Sequence, residues 1–320
     1  MAQHSAWVAQ IGAAPHNSES VTLGGDMPST VTVRVPATSA NLGPGFDCLG
    51  MALDLWATIT LEASRAGVDA DEPMAQMALK AAQRVFDAAK REAPAGLVAR
   101  YEGDIPLARG LGASAVARVG GALAANAIAG DALDREELLV IATGLEGHAD
   151  NAAPAMFGGL QVSVVDDKRV LHAGIALPDR LSAVLFVPEL RMPTRESRKL
   201  LPGQLSRADA VHNTARAALL VAAMAAGRFD LLDVATQDRL HQRPRSKLFP
   251  AMFAIFEAAK AAGAHCAYLS GGGSTICALA SSNEQGIADA MAEAARSRKT
   301  PGYALVTRPT ERGAELVGQQ

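Results

Sequence analysis

Ile105-Pro106-Leu107-Ala108-Arg109-Gly110-Leu111-Gly112-Ala113-Ser114-Ala115 runs directly into a stretch of small residues at helical spacing. Two glycines just before a helix allow positive φ and close approach, because no Cβ stands in the way. The helix that follows offers unpaired N–H groups and the positive end of its dipole to an anion. Ser114 adds a hydroxyl oxygen within reach of a metal ion. The segment reads as a loop that holds the phosphates of a nucleotide.

Two familiar phosphate loops can be tested against these letters. The P-loop ends in Gly-Lys-Ser/Thr, and no lysine occurs here. Gly110, Gly112 and Ala115 satisfy the dinucleotide pattern G-x-G-x-x-A, but that pattern should follow a strand directly. Here Glu102-Gly103-Asp104-Ile105-Pro106 intervenes as a turn, and Asp131 and Asp134 fall in a loop rather than at a strand tip. A glycine-rich turn that merely packs a helix closely is the plain alternative.

At 320 residues, with 49% hydrophobic and 20% charged residues, the chain is long enough for two domains of ordinary globular composition. A net charge of −3 gives no general attraction to nucleic acid or anionic membrane. No apolar run reaches the ~20 residues that span a bilayer. Cys48, Cys266 and Cys277 lie far apart without C-x-x-C spacing, so they read as buried thiols of a cytoplasmic protein. Residues 1–28 carry no secretory pattern and read as a disordered leader.

Apolar periodicity places strands at about 31–35, 55–61 and 160–165, and helices at 74–89, 113–129 and 135–143. Asp134 is the expected N-cap of the last of these helices. After Pro178 the pattern restarts with a strand at 181–187, helices at 208–226 and 251–262, and strands at 266–270 and 275–280. A helix at 283–298 and a strand at 303–307 close the chain. The expected class is α+β, with domains at 29–175 and 176–320.

Three further glycine-bearing segments carry polar residues. In Pro36-Ala37-Thr38-Ser39-Ala40-Asn41-Leu42-Gly43-Pro44-Gly45-Phe46-Asp47, Asn41 and Asp47 suit a small polar substrate, the carboxylate matching an amino group. They suit local turn capping equally well. In Glu146-Gly147-His148-Ala149-Asp150-Asn151, Glu146 suits Mg²⁺ opposite Ser114, and Asp150 suits proton transfer or the positioning of a hydroxyl. The bland reading makes Glu146 a solvated helix end and Asp150-Asn151 a turn, with His148 structural. Ser270-Gly271-Gly272-Gly273-Ser274-Thr275 is either a tight hairpin or a close backbone approach to a ligand.

Taken in order, the four segments resemble those of the GHMP small-molecule kinases, and among them the homoserine kinases. The resemblance runs from about Val31 to the C-terminus. It implies an N-terminal ATP-binding domain, a ferredoxin-like C-terminal domain and a homodimer. It also implies ATP and Mg²⁺ as requirements and L-homoserine as the phosphate acceptor. On matched motif positions, Pro106, Leu107, Ala108, Arg109, Gly110, Leu111, Gly112, Ala113, Ser114 and Ala115 hold the nucleotide, with Ser114 and Glu146 on the metal. Asn41, Asp47, Asn151, Arg198 and Arg245 bind the acceptor, and Asp150, Asn151 and Thr194 form the catalytic group.

The chain departs from the family pattern at three places. Ala113 replaces the first serine of Gly-Leu-Gly-Ser-Ser-Ala. Ser274 replaces the proline of Ser-Gly-x-Gly-Pro-Thr. Glu72-Pro73-Met74 stands where Asn-Leu-Val is usual. A kinase for another small alcohol, or a nucleotide- or metabolite-binding protein without turnover, are the competing readings.

Overall fold

β1 (Thr30–Ala40) and β2 (Leu49–Ser64) pair antiparallel along their whole length, from Thr30 opposite Glu62 to Ala40 opposite Gly50. The sequence predicts a strand only over 31–35, followed by a loop rich in Pro, Ser, Asn and Gly. In the computed structural model the pairing continues, because the register shifts between Pro36 and Ala37 and so absorbs a residue with no N–H to give. Thr38, Ser39 and Ala40 are therefore held in a sheet. The structure describes residues 29–64, 72–178 and 180–319, so the leader expected at 1–28 lies outside the described residues.

The far edge of β2 is shared. Its first residues pair with β4 (Leu160–Asp166), and its second half pairs with β3 (Gly96–Gly103). β4 turns back into β5 (Arg169–Ile175), and β10 (Glu315–Gln319) adds to the free edge of β1. Neither β5 nor β10 was expected from the sequence. Both are edge strands with mostly exposed residues, so they show little of the apolar alternation that marks a strand. The closing residues thus belong to the first sheet, although the sequence division at 175/176 put them with the second half.

Helices α1 (Pro73–Ala89), α2 (Ala113–Ile128) and α3 (Arg135–Glu146) pack against this sheet. α2 is the central one, and every residue in it is buried except Ser114 and Arg118. Small side chains make that possible, since a Cβ on Gly121 would stand 2.4 Å from the Ala78 carbonyl oxygen. The capping expected at α3 is present: Asp134 accepts from Glu137 N at 2.8 Å, while the Glu137 carboxylate accepts from Asp134 N at 2.8 Å. The loop expected over 147–159 contains a short helix, α4 (Ala152–Phe157), whose Pro154 sits in the first turn, where no N–H is missed.

The second sheet has the order β7 (Cys266–Leu269), β8 (Ile276–Ala280), β6 (Ser182–Pro188), β9 (Gly302–Thr307), all antiparallel. This is the ferredoxin-like arrangement. α9 (Met252–Ala261) and α10 (Glu284–Ser297) cover one face, while Leu185, Tyr268, Cys277 and Leu279 join the core of the first layer. Between β6 and α9 lie α5 (Thr194–Lys199), α6 (Arg207–Ala225), α7 (Leu232–Ala235) and α8 (Gln242–Arg245). The three cysteines are unpaired, and burial lifts the Cys266 and Cys277 thiols to about 12. No helix among the described residues is long and apolar enough to cross a membrane.

Candidate active site

The glycine loop is clamped by its neighbours. Gly110 and Gly112 have φ of 75° and 71°, and Ala108 also lies in the left-handed region at 55°. A Cβ on Gly110 would stand 2.1 Å from the Ser270 carbonyl oxygen, and one on Gly112 would stand 1.9 Å from Thr38 Oγ1. The glycines are thus demanded by the approach of two other loops, a cause the sequence does not display. Ser270 Oγ donates to the Gly110 carbonyl at 2.6 Å, Thr275 N to that of Arg109 at 2.9 Å, and Thr38 N to that of Leu111 at 3.2 Å.

Arg109, grouped with the nucleotide loop, spends its guanidinium on backbone. It donates to the carbonyls of Pro188 at 2.8 Å, Leu107 at 3.0 Å and Glu189 at 3.1 Å, which ties the loop to the end of β6. Pro106 and Leu107 lead in behind the buried Ile105. Ala113 and Ala115 are buried in the first turn of α2, with Ser114 between them partly open. No side chain caps this helix, as none caps α1, α9 or α10. Its first amides are left for another acceptor.

Ser114 and Arg118 lie four residues apart, on one face of α2. Arg118 forms an ion pair with Glu146, at the end of α3, and both side chains are largely buried. Sequence reasoning missed Arg118, a charged residue inside an otherwise apolar helix. The oxygen donors Ser114 and Glu146 suit a hard cation. A guanidinium already standing against that carboxylate shows that the position accommodates positive charge.

Asp150 is 2% exposed and sits between two donors. His148 Nδ1 contacts its Oδ1, and Asn151 Nδ2 donates to the same oxygen at 3.2 Å. Burial opposes a charge on His148, but Asp150, with Glu146 and Asp47 beyond it, outweighs that and raises the imidazole to about 9. His148 is therefore protonated at neutral pH and serves as a cation of the site. Asn151 Oδ1 accepts from Thr38 Oγ1 at 2.7 Å, which links this loop to β1.

The last cluster brings both halves together. Asn41 donates to the Gly271 carbonyl at 2.9 Å and accepts from Asp47 N at 3.0 Å. Arg198, on α5, grips Asp47 with both terminal nitrogens, one of them at 2.9 Å. Burial works against the charge of Arg198, but the contact with Asp47 raises its pKa overall. Arg245, on α8, is 1% exposed, and its Nη1 donates to the Gly271 carbonyl at 3.0 Å. Burial, reinforced by Arg198, lowers it to about 10, so it too is charged at neutral pH. Phe46 lies under both guanidiniums, 5.1 Å and 5.6 Å from its ring centre, and was not anticipated. Thr194 opens α5 beside Gly272: a Cβ built there would meet Thr194 Oγ1 at 3.6 Å. Ser274, at the departure from proline, donates its hydroxyl to the Leu190 carbonyl. Glu72, at the third departure, precedes Pro73 at the start of α1.

Residues 76–159 match the GHMP kinases N-terminal domain and residues 220–297 the GHMP kinases C-terminal domain. The homoserine kinase of Caldanaerobacter subterraneus subsp. tengcongensis is 44% identical over 78% of this chain and 83% of its own length. That of Desulfitobacterium hafniense is 38% identical over 90% of this chain and all of its own. The chain belongs to the homoserine kinase family of GHMP kinases. The crystal structure of homoserine kinase from Cytophaga hutchinsonii superposes with a TM-score of 0.82 and 26% identity, covering 93% of this chain and all of that one. Mevalonate kinase of L. major shares the fold at a TM-score of 0.62 and 20% identity. Membership in this family accounts for all four glycine-bearing segments at once, which a dinucleotide fold does not.

Proposed function

We infer that this protein transfers the γ-phosphoryl group of ATP to the side-chain hydroxyl of L-homoserine, giving O-phospho-L-homoserine, a reaction of threonine biosynthesis. The observation that carries the choice of acceptor is the Asp47–Arg198 pair with Arg245 beside it. A free amino acid brings an ammonium and a carboxylate on one carbon, and these match a carboxylate flanked by two guanidiniums. Charge-assisted bonds of this kind contribute about 1.5–3 kcal/mol each. The similarity to curated homoserine kinases over most of the chain supports the same acceptor.

In this reading the amides of Gly110 to Ala115 and the dipole of α2 hold the nucleotide phosphates, Pro106 to Arg109 shaping the approach. Ser114 and Glu146 would hold Mg²⁺, which when bound neutralises phosphate charge. Asn41 and Asn151 orient the acceptor. Asp150, with Asn151 and Thr194, faces the reacting hydroxyl, with Asp150 taking its proton and His148 fixing the Asp150 carboxylate. Phosphoryl transfer asks mainly for such positioning and charge balance. A domain division near residue 175, with the closing strand β10 returned to the N-terminal sheet, a homodimeric state and a cytoplasmic location belong to the same proposal.

ADP release in the presence of Mg²⁺, measured against homoserine, threonine, mevalonate and no acceptor, tests the reading. Homoserine-dependent release is the expected result. Turnover with another alcohol alone, or nucleotide binding by calorimetry without turnover, overturns it in favour of one of the two competitors. Asp47→Asn is expected to raise KM for homoserine about tenfold or more, from the loss of one charge-assisted contact, with KM for ATP unchanged. A parallel rise in both KM values would place Asp47 outside the acceptor site.

A further inference from the structure

His241 is fully buried just before α8, and neither the sequence motifs nor the functional reading gives it a part. Both of its ring nitrogens are engaged. Nε2 is 2.7 Å from the Gly43 carbonyl, so it carries the proton and donates it. Nδ1 is 2.8 Å from Nη1 of Arg245, and a guanidinium has no lone pair to offer. Nδ1 is therefore an acceptor, and the imidazole is neutral with its proton on Nε2. Burial outweighs the opposing pull of the Asp238 carboxylate, 3.9 Å from Nε2, and with the charge of Arg245 holds the ring in that form by lowering it to about 4.

The partner side of this contact is equally specific. Nη1 of Arg245 has two hydrogens; one goes to His241 and the other to the Gly271 carbonyl at 3.0 Å. With that nitrogen consumed, the planar group can rotate no further. Its Nε is buried and has no hydrogen-bond partner. A buried guanidinium with an unsatisfied Nε calls for an explanation, and an acceptor that arrives with the substrate supplies one. Asp238 holds the start of α8 in turn, accepting from the amides of His241 at 2.8 Å and Gln242 at 2.7 Å and from Asn213 Nδ2 at 2.7 Å. The chain of contacts runs from Asp238 through His241 to Arg245, with a branch from His241 to the loop that carries Asn41 and Asp47.

We propose that His241 is a positioning residue that fixes the guanidinium plane of Arg245, so that its Nε edge faces the carboxylate of the phosphate acceptor. The proposal rests on the homoserine reading above and adds a residue that discriminates acceptors by that carboxylate. His241 touches no reacting atom, so its removal acts on acceptor recognition and leaves nucleotide binding alone.

The test compares the full-length protein with its His241→Leu and His241→Asn variants, with homoserine and its alcohol analogue homoserinol as acceptors. His241→Leu is expected to raise KM for homoserine tenfold or more, with kcat and KM for ATP within about twofold of the parent. It should also shrink the preference for homoserine over homoserinol by a similar factor. His241→Asn, which retains an acceptor near the Nδ1 position, is expected to recover most of that loss. An unchanged homoserine KM, or equal losses with both acceptors, would overturn the proposal. Absence of homoserine turnover in the unaltered protein would defeat the functional reading instead. A measurement independent of turnover and of variant folding is the ¹⁵N spectrum of the unaltered protein. It should show His241 bare at Nδ1 and protonated at Nε2, and a proton on Nδ1 at neutral pH overturns the proposed contact.

Discussion

Replacing Glu146 with alanine is expected to lower kcat about a hundredfold or more, the size seen when one charge-stabilising group is removed from an active site. Glu146 is the carboxylate that meets Arg118, one turn along α2 from Ser114. On the proposed reading, its loss removes the acidic donor to Mg²⁺. It also leaves the Arg118 guanidinium without its partner in a largely buried place, which is destabilising in itself. The two consequences separate experimentally. The catalytic loss should persist at saturating ATP and homoserine, and the Mg²⁺ concentration needed for half-maximal rate should rise. The stability loss appears in Tm. Near-normal kcat in a folded Glu146→Ala protein would remove Glu146 from the metal site.

Gly110→Ala is expected to be damaging for a reason unrelated to ligand contact. Its φ of 75° costs a residue with a Cβ about 1–2 kcal/mol. The added carbon would stand 2.1 Å from the Ser270 carbonyl oxygen, which is backbone and has no rotamer to yield. Overpacking of this kind costs about 1–3 kcal/mol more. Together these predict a fall in Tm of roughly 3–8 °C. ATP affinity should fall as well, because relief requires the glycine loop to draw away from the Ser270–Thr275 loop. Gly227→Ala is the control: its φ is 64°, but an added Cβ there meets nothing within 4 Å. It should show only the smaller conformational cost and unchanged kinetics. Equal Tm losses in the two variants would show that the contact with Ser270 does not matter.

Much of the site was legible because its parts are local. A glycine pair before a helix, a carboxylate at a helix end and an Asp-Asn pair after a glycine are each visible within a few letters. The long helices and the strands of the second sheet are likewise visible from apolar spacing. What was not legible depends on residues far apart in the chain. β1 runs past Pro36 because a bulge against β2 absorbs it, and β10 becomes a strand only because β1 offers it an edge. Arg118 reads as an ordinary helix residue until α3 brings Glu146 to it. His148 reads as structural until Asp150, Glu146 and Asp47 surround it and hold it protonated. His241 has no motif at all; its part exists only where Gly43 and Arg245 meet it from opposite sides.

By itself the sequence determined the class of the protein: a chain with four glycine-bearing segments in one order, two α+β halves, and a glycine loop ahead of a helix of small residues. It also supplied the charged groups on which the chemistry draws. Only the tertiary structure decided what those groups face. Asp47 meets Arg198, Glu146 meets Arg118, and the glycines of the loop give way to Thr38 and Ser270. The physical reason is range. Backbone conformation and helix signals are fixed by neighbours in sequence, whereas charge pairing and steric fit depend on distances of a few ångströms between segments that lie far apart in the chain.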